Sequence, residues 1–109
     1  MDAMTLAKTK SLLGESVNNE AVETIMEMVE AQLLVRIGEE EVPYELSYIV
    51  INVSVARYNQ IGDEGKSSMS IEGESASWLT DLFEPYEKDI RLYMDRENGT
   101  VSGGSIAFL

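Results

Sequence analysis

The chain contains no cysteine and no histidine. Without cysteine there is no disulfide framework and no thiolate chemistry. Without histidine the commonest general base and the commonest metal ligand are both missing. Basic residues are scarce as well: 8 Lys and Arg stand against 20 Asp and Glu, a formal net charge of -12. That balance argues against a general nucleic-acid binder, whose phosphate contacts need clustered Lys and Arg. It suits a protein that avoids anionic polymers or docks on a basic partner. Proline occurs twice, and no long Ser/Gly run leaves room for a linker and a second domain. No apolar run reaches transmembrane length, because Asn52 and Ser54 interrupt Ile49 to Val55. The opening MDAMTLAKTK has no signal-peptide apolar region, so synthesis and retention in the cytosol are expected.

What is present is a chain of 109 residues, 44% of them hydrophobic, enough for a real core. One domain over 1–109 is expected, a helical body to 96 and a C-terminal arm from 97 to 109. The spacing predicts a short first helix from Thr5 to Leu13, with Leu6, Leu12 and Leu13 as its apolar side. Lys8 and Lys10 face solvent or the C-terminal end of the dipole, and Gly14 is the cap. Asn18 caps a second helix, Asn19 to Ile37, whose Val22, Ile25, Met26, Val29, Leu33 and Ile37 fall at three- and four-residue steps. Glu20, Glu23, Glu27 and Glu30 cover the other side, and Gly38 ends the helix before the acidic link Glu39-Glu40-Glu41.

The stretch from Pro43 to Gly65 is the longest apolar run. Ile49, Ile51, Val53 and Val55 alternate as a strand would, but the run to Ile61 passes no turn signal and is too long for one. Leu46, Ile49, Val50, Val53, Arg57 and Ile61 follow helical steps, which predicts a central core helix with Pro43 in its first turn. Residues 62–76 are Gly- and Ser-rich and longer than the usual connection, which marks a mobile surface loop or one ordered only by neighbouring subunits. Ser68 to Ile71 alternates like one arm of a hairpin. Trp78, Leu79, Leu82, Phe83, Tyr86, Ile90 and Tyr93 form an aromatic-rich core series. Trp78 to Phe83 reads as an irregular lead-in, and Pro85 as the first turn of a last helix from Glu84 to Arg96. After a turn at Asn98-Gly99 comes a Gly/Ser tail, expected to be flexible, whose Val101, Ile106, Phe108 and Leu109 are apolar enough to dock on a partner.

Signals for chemistry are few. No standard triad is available without His, and Lys66-Ser67 is not a catalytic spacing. The Gly62-Asp63-Glu64-Gly65-Lys66-Ser67 run lacks the spacing of a phosphate loop and follows a helix instead of a strand. Carboxylate pairs such as Glu39-Glu40 and Asp63-Glu64 have no further ligands at metal-binding spacing. No enzyme activity, metal or cofactor is expected.

Order and spacing do point to a family. A Leu/Lys helix ends in Leu13-Gly14, and an acidic amphipathic helix follows. Next come Pro43-x-Glu45-Leu46-x-x-Ile49-Val50 and Val55-Ala56-x-Tyr58-Asn59-x-x-Gly62-x-Glu64-Gly65. A Ser-rich loop and a final helix carrying Pro85, Ile90 and Tyr93 complete the order. Over residues 5 to 96 the chain resembles the head–tail connector, or head-completion adaptor, proteins of long-tailed double-stranded DNA phages and prophages. The helical spacing predicts an all-α bundle of three principal helices plus a short N-terminal one, and the resemblance likewise implies a small helical bundle. It implies a twelve-fold ring below the portal that extends the DNA channel and docks the next connector, stopper or tail component. The protein would then sit in the virion at the head–tail interface, after assembly in the host cytoplasm, with no membrane contact. DNA would pass through without specific binding, and carboxylates in the lumen would repel it.

Mapped on this chain, the inter-subunit or channel loop is Gly62, Asp63, Glu64, Gly65, Lys66, Ser67, Ser68, Met69, Ser70, Ile71 and Glu72. Val101, Ile106, Phe108 and Leu109 form the portal-docking arm. The competing reading is an acidic regulatory protein, a DNA mimic that occupies a nucleic-acid-binding partner through Glu20, Glu23, Glu27 and Glu30. A small enzyme built on carboxylates is the remoter rival.

Overall fold

The computed structural model describes residues 3–14, 17–61 and 77–98. Helix α1 (Ala3–Leu13) is followed by α2 (Asn19–Ile37), and a 3-10 turn (Tyr44–Leu46) runs into α3 (Ser47–Ile61). Helix α4 (Ser77–Phe83) leads through a second 3-10 turn (Glu84–Tyr86) into α5 (Glu87–Glu97). The described residues contain no strand. The fold is a small all-α bundle, as the spacing predicts.

Helix α3 is the centre. It packs against α1, α2 and α4, and Ile49, Val50, Ile51, Val53, Ser54, Arg57 and Tyr58 are all buried. A buried set this wide explains the ambiguous alternation in the sequence: Ile51 and Val53 are both inside, although no single helical face holds them both. Asn52 and Asn59 remain exposed. Helix α2 supplies the facing layer, with Val22, Ile25, Met26, Val29 and Leu33 fully enclosed.

The ends of α2 are set by their sequence. The Asn18 side chain accepts a hydrogen bond from the Ala21 N–H at 3.1 Å, one of the orphan donors of a helix start. Gly38 closes the helix at φ 72°, and its N–H donates to the Leu34 carbonyl; a left-handed residue is what this ending requires. The Asn18 N–H also donates to the Tyr58 hydroxyl at 2.8 Å, which fixes the start of α2 against α3. Gly14 does the equivalent work for α1 at φ 99°.

Three expectations are corrected. Leu12 is 65% exposed, and the inward side of α1 is built on Thr5 and Thr9 with Leu6 and Leu13 half-buried. The Thr9 hydroxyl donates to the Thr5 carbonyl at 2.9 Å, so the polar group is satisfied on its own helix. The short side chain then lets α1 lie close to α3. Residues 77–83 are helical, not an irregular lead-in, because Trp78, Leu79 and Phe83 reach the core only when they share one helix face. Pro43 lies just outside the 3-10 turn, with extended ψ 146°, and its carbonyl accepts from the Leu46 N–H.

Candidate functional site

The loop residues Gly62, Asp63, Glu64, Gly65, Lys66, Ser67, Ser68, Met69, Ser70, Ile71 and Glu72 lie outside the described residues. So do Val101, Ile106, Phe108 and Leu109 of the arm. The structure does describe what flanks them. Arg57 near the end of α3 and Trp78 at the start of α4 stand on opposite sides of the loop in sequence. The Arg57 guanidinium lies 4.5 Å from the centroid of the Trp78 ring. Both residues are buried, and Arg57 Nη1 donates to Gln60 Oε1 at 3.3 Å. A cation over an indole face out of water is worth up to about 2 kcal/mol. This contact holds the two roots of the loop together.

Helix α5, which leads to the arm, is held differently. Only Ile90 and Tyr93 of its residues are buried, with Met94 half-buried against the core; much of the remaining attachment is polar. Arg36 of α2 donates to Glu87 and also lies 4.8 Å from the Phe83 ring centroid. The Tyr48 hydroxyl of α3 donates to Asp89. The Tyr93 hydroxyl donates to Glu39 at 3.2 Å, and Arg96 donates to Glu45 at 2.7 Å. Four side-chain pairs thus tie α5 to four different places on the body. Partial burial first, then the Asp89 carboxylate, pushes the Tyr48 hydroxyl up to about 12. Burial and then Glu39 raise Tyr93 above its usual 10.0. None of these pairs is local in sequence, and no motif announces them.

Two concavities flank this clasp. One, of about 350 Å³, is walled by Thr5, Glu30, Leu34, Glu40, Glu41, Val42, Tyr44, Ser47 and Val50. The other, of about 220 Å³, lies between Arg36, Glu87, Ile90, Arg91 and Met94. Among the described residues no group of three acidic side chains is placed to hold a metal ion. No described helix is long and apolar enough to cross a membrane. Of the acidic stripe on α2, Glu20, Glu23 and Glu27 are exposed, Glu23 lies 3.8 Å from Lys10, and Glu30 lines the larger cavity.

Residues 3–94 match the family of phage gp6-like head-tail connector proteins. The chain belongs to that family. The match spans α1 through most of α5 and every residue of the core. No curated protein and no solved structure matches the chain. A phage head–tail connector is a structural component of the phage.

Proposed function

We propose that the chain is a non-enzymatic structural adaptor of phage head–tail joining, one connector-like domain that forms a ring below the portal. The ring extends the DNA channel and docks the next connector or a tail component. The family match over residues 3–94 carries this reading. In it, the Gly62 to Glu72 loop is the inter-subunit or channel-side element, and Val101, Ile106, Phe108 and Leu109 engage the portal. Twelve copies, matching the portal, would place the protein at the head–tail interface of the virion, assembled in the host cytoplasm. The net charge of -12 fits a channel wall that lets DNA slide.

The test is the mass of the full chain, alone and mixed with the portal of its phage, by light scattering with electron microscopy of large species. Rings, alone or on the portal, are expected, and removal of residues 101–109 is expected to abolish portal binding. A chain that stays monomeric in both settings and captures a DNA-binding protein instead would establish the mimic reading. That reading is weakened by the α2 stripe, since Lys10 is drawn onto Glu23 in its middle.

A further inference from the structure

We infer that copies of this chain pack head to tail, with the outer face of α5 of one copy seated on the cavity beside Tyr44 of the next. The inference rests on the adaptor reading and names the contact that would close the ring. The cavity, about 350 Å³, has Leu34 and Val42 among its apolar lining, and Tyr44 at its edge is 79% exposed. Glu40 and Glu41 also line it, and both are exposed. Among the described residues no cation pairs with either.

The donating face carries the cations Lys88 and Arg91, with Asp95 one helical turn beyond Arg91. Leu92 on α5 is 58% exposed and has the exposed Lys88 four residues before it and Arg91 beside it. Three of the chain's eight cations are already committed, Lys10 to Glu23, Arg36 to Glu87 and Arg96 to Glu45. Arg57 is buried. Lys88 and Arg91 have no acidic partner among the described residues. The exposed Lys8 on α1 likewise has no acidic partner among the described residues. In this contact Leu92 with its two neighbouring cations is set against an apolar lining that Glu30, Glu40 and Glu41 share.

The two surfaces are made of different residues. On α2, Glu30 and Leu34 line the cavity, whereas Arg36 turns to Phe83 and Glu87 on the α5 side. Two different complementary patches make a heterologous contact, which propagates by rotation and closes into a ring or continues as a filament. Charge complementarity of this kind fixes register and suppresses wrong partners.

The test is a charge exchange with the full chain: E40K/E41K on the receiving side, K88E/R91E on the donating side, and the two combined. All four positions are exposed, and circular dichroism with thermal unfolding checks that each variant folds. Subunits per particle are read by light scattering, alone and on the portal. Each pair alone is expected to raise the half-assembly concentration at least tenfold, roughly 1.4 kcal/mol or more. The combined variant, and an equimolar mixture of the two pairs, should restore assembly. Simple net repulsion predicts otherwise: from -12, the first pair moves to about -8 and the second to about -16, shifting assembly in opposite directions. Rings that form equally well from every variant, or variants that shift in opposite directions, overturn this interface and leave the adaptor reading standing. A wild-type chain that never assembles, alone or on the portal, overturns both.

Discussion

At the scale of single residues, the roots of the loop offer the sharpest test. Trp78 is the only tryptophan, so its fluorescence reports directly on the guanidinium stacked over it at 4.5 Å. Arg57→Met keeps the length and apolar volume but removes the cation. It is expected to lower unfolding free energy by about 1–2 kcal/mol and to shift the emission of the folded state. Urea titration followed by fluorescence measures both; an unchanged spectrum and midpoint would show that the stacking contributes nothing. Phe83 is fully buried where Arg36 covers its ring, and Phe83→Ala is expected to cost about 3–5 kcal/mol. Gly38 shows the opposite kind of constraint. A Cβ there would meet nothing within 4 Å, so the expected loss in Gly38→Ala, about 1–2 kcal/mol, is purely the left-handed backbone at φ 72°. Asparagine at the same position, which tolerates that conformation, should recover most of it.

At the scale of elements, α3 and α5 are held by different physics. The one is buried among apolar neighbours, the other is clasped by hydrogen-bonded carboxylates, and amide exchange should be faster in α5. Alkaline pH gives a second handle. Tyr48 at about 12 and Tyr93 above 10.0 both bind their protons more tightly in the fold than in the unfolded chain. Their stabilisation is therefore complete below pH 10, where both states are protonated, and declines as pH rises from there through the folded values. Unfolding midpoints between about pH 9 and 12 should fall more steeply for the wild type than for Tyr48→Phe/Tyr93→Phe. Equal slopes would mean that the clasp does not discriminate between the protonation states. The difference in legibility follows the same division. Helix α2 was readable to the residue because its apolar steps, the Asn18 cap and Gly38 are all local signals. Helix α4 spans only seven residues, too few for a period to declare itself. On α1, Leu12 outranks Thr9 in hydrophobicity, yet Thr9 is inside, since close approach and a satisfied hydroxyl decided the packing. The clasp pairs residues 41 to 54 positions apart, which no local pattern can encode. Order and spacing along the chain were enough to point to the family, because they survive even where each motif is weak. The loop and arm of the candidate site lie outside the described residues.

At the scale of the whole molecule, the net charge of -12 and the proposed contact pull in opposite directions. Subunits brought into a ring repel one another over the full width of the domain, and that long-range term is screened once the Debye length falls to about 10 Å near 0.1 M salt. The pairing of Lys88 and Arg91 with Glu40 and Glu41 acts at contact distance beside apolar surface, where salt screens it less. Moderate salt should therefore favour assembly by removing repulsion first. Higher salt then weakens the pairing, while the apolar contribution of Leu92 persists. Subunits per particle, measured from about 10 mM to 1 M salt, should pass through a maximum at roughly 0.1–0.3 M. In the combined exchange variant the maximum should stay in place, because its net charge and its number of complementary pairs both equal those of the natural chain. Assembly that falls steadily from the lowest salt would mean that contact pairing outweighs repulsion throughout. Assembly that rises steadily to 1 M would instead assign the interface to apolar burial, with Leu92→Ser becoming the decisive substitution in place of the charge exchange.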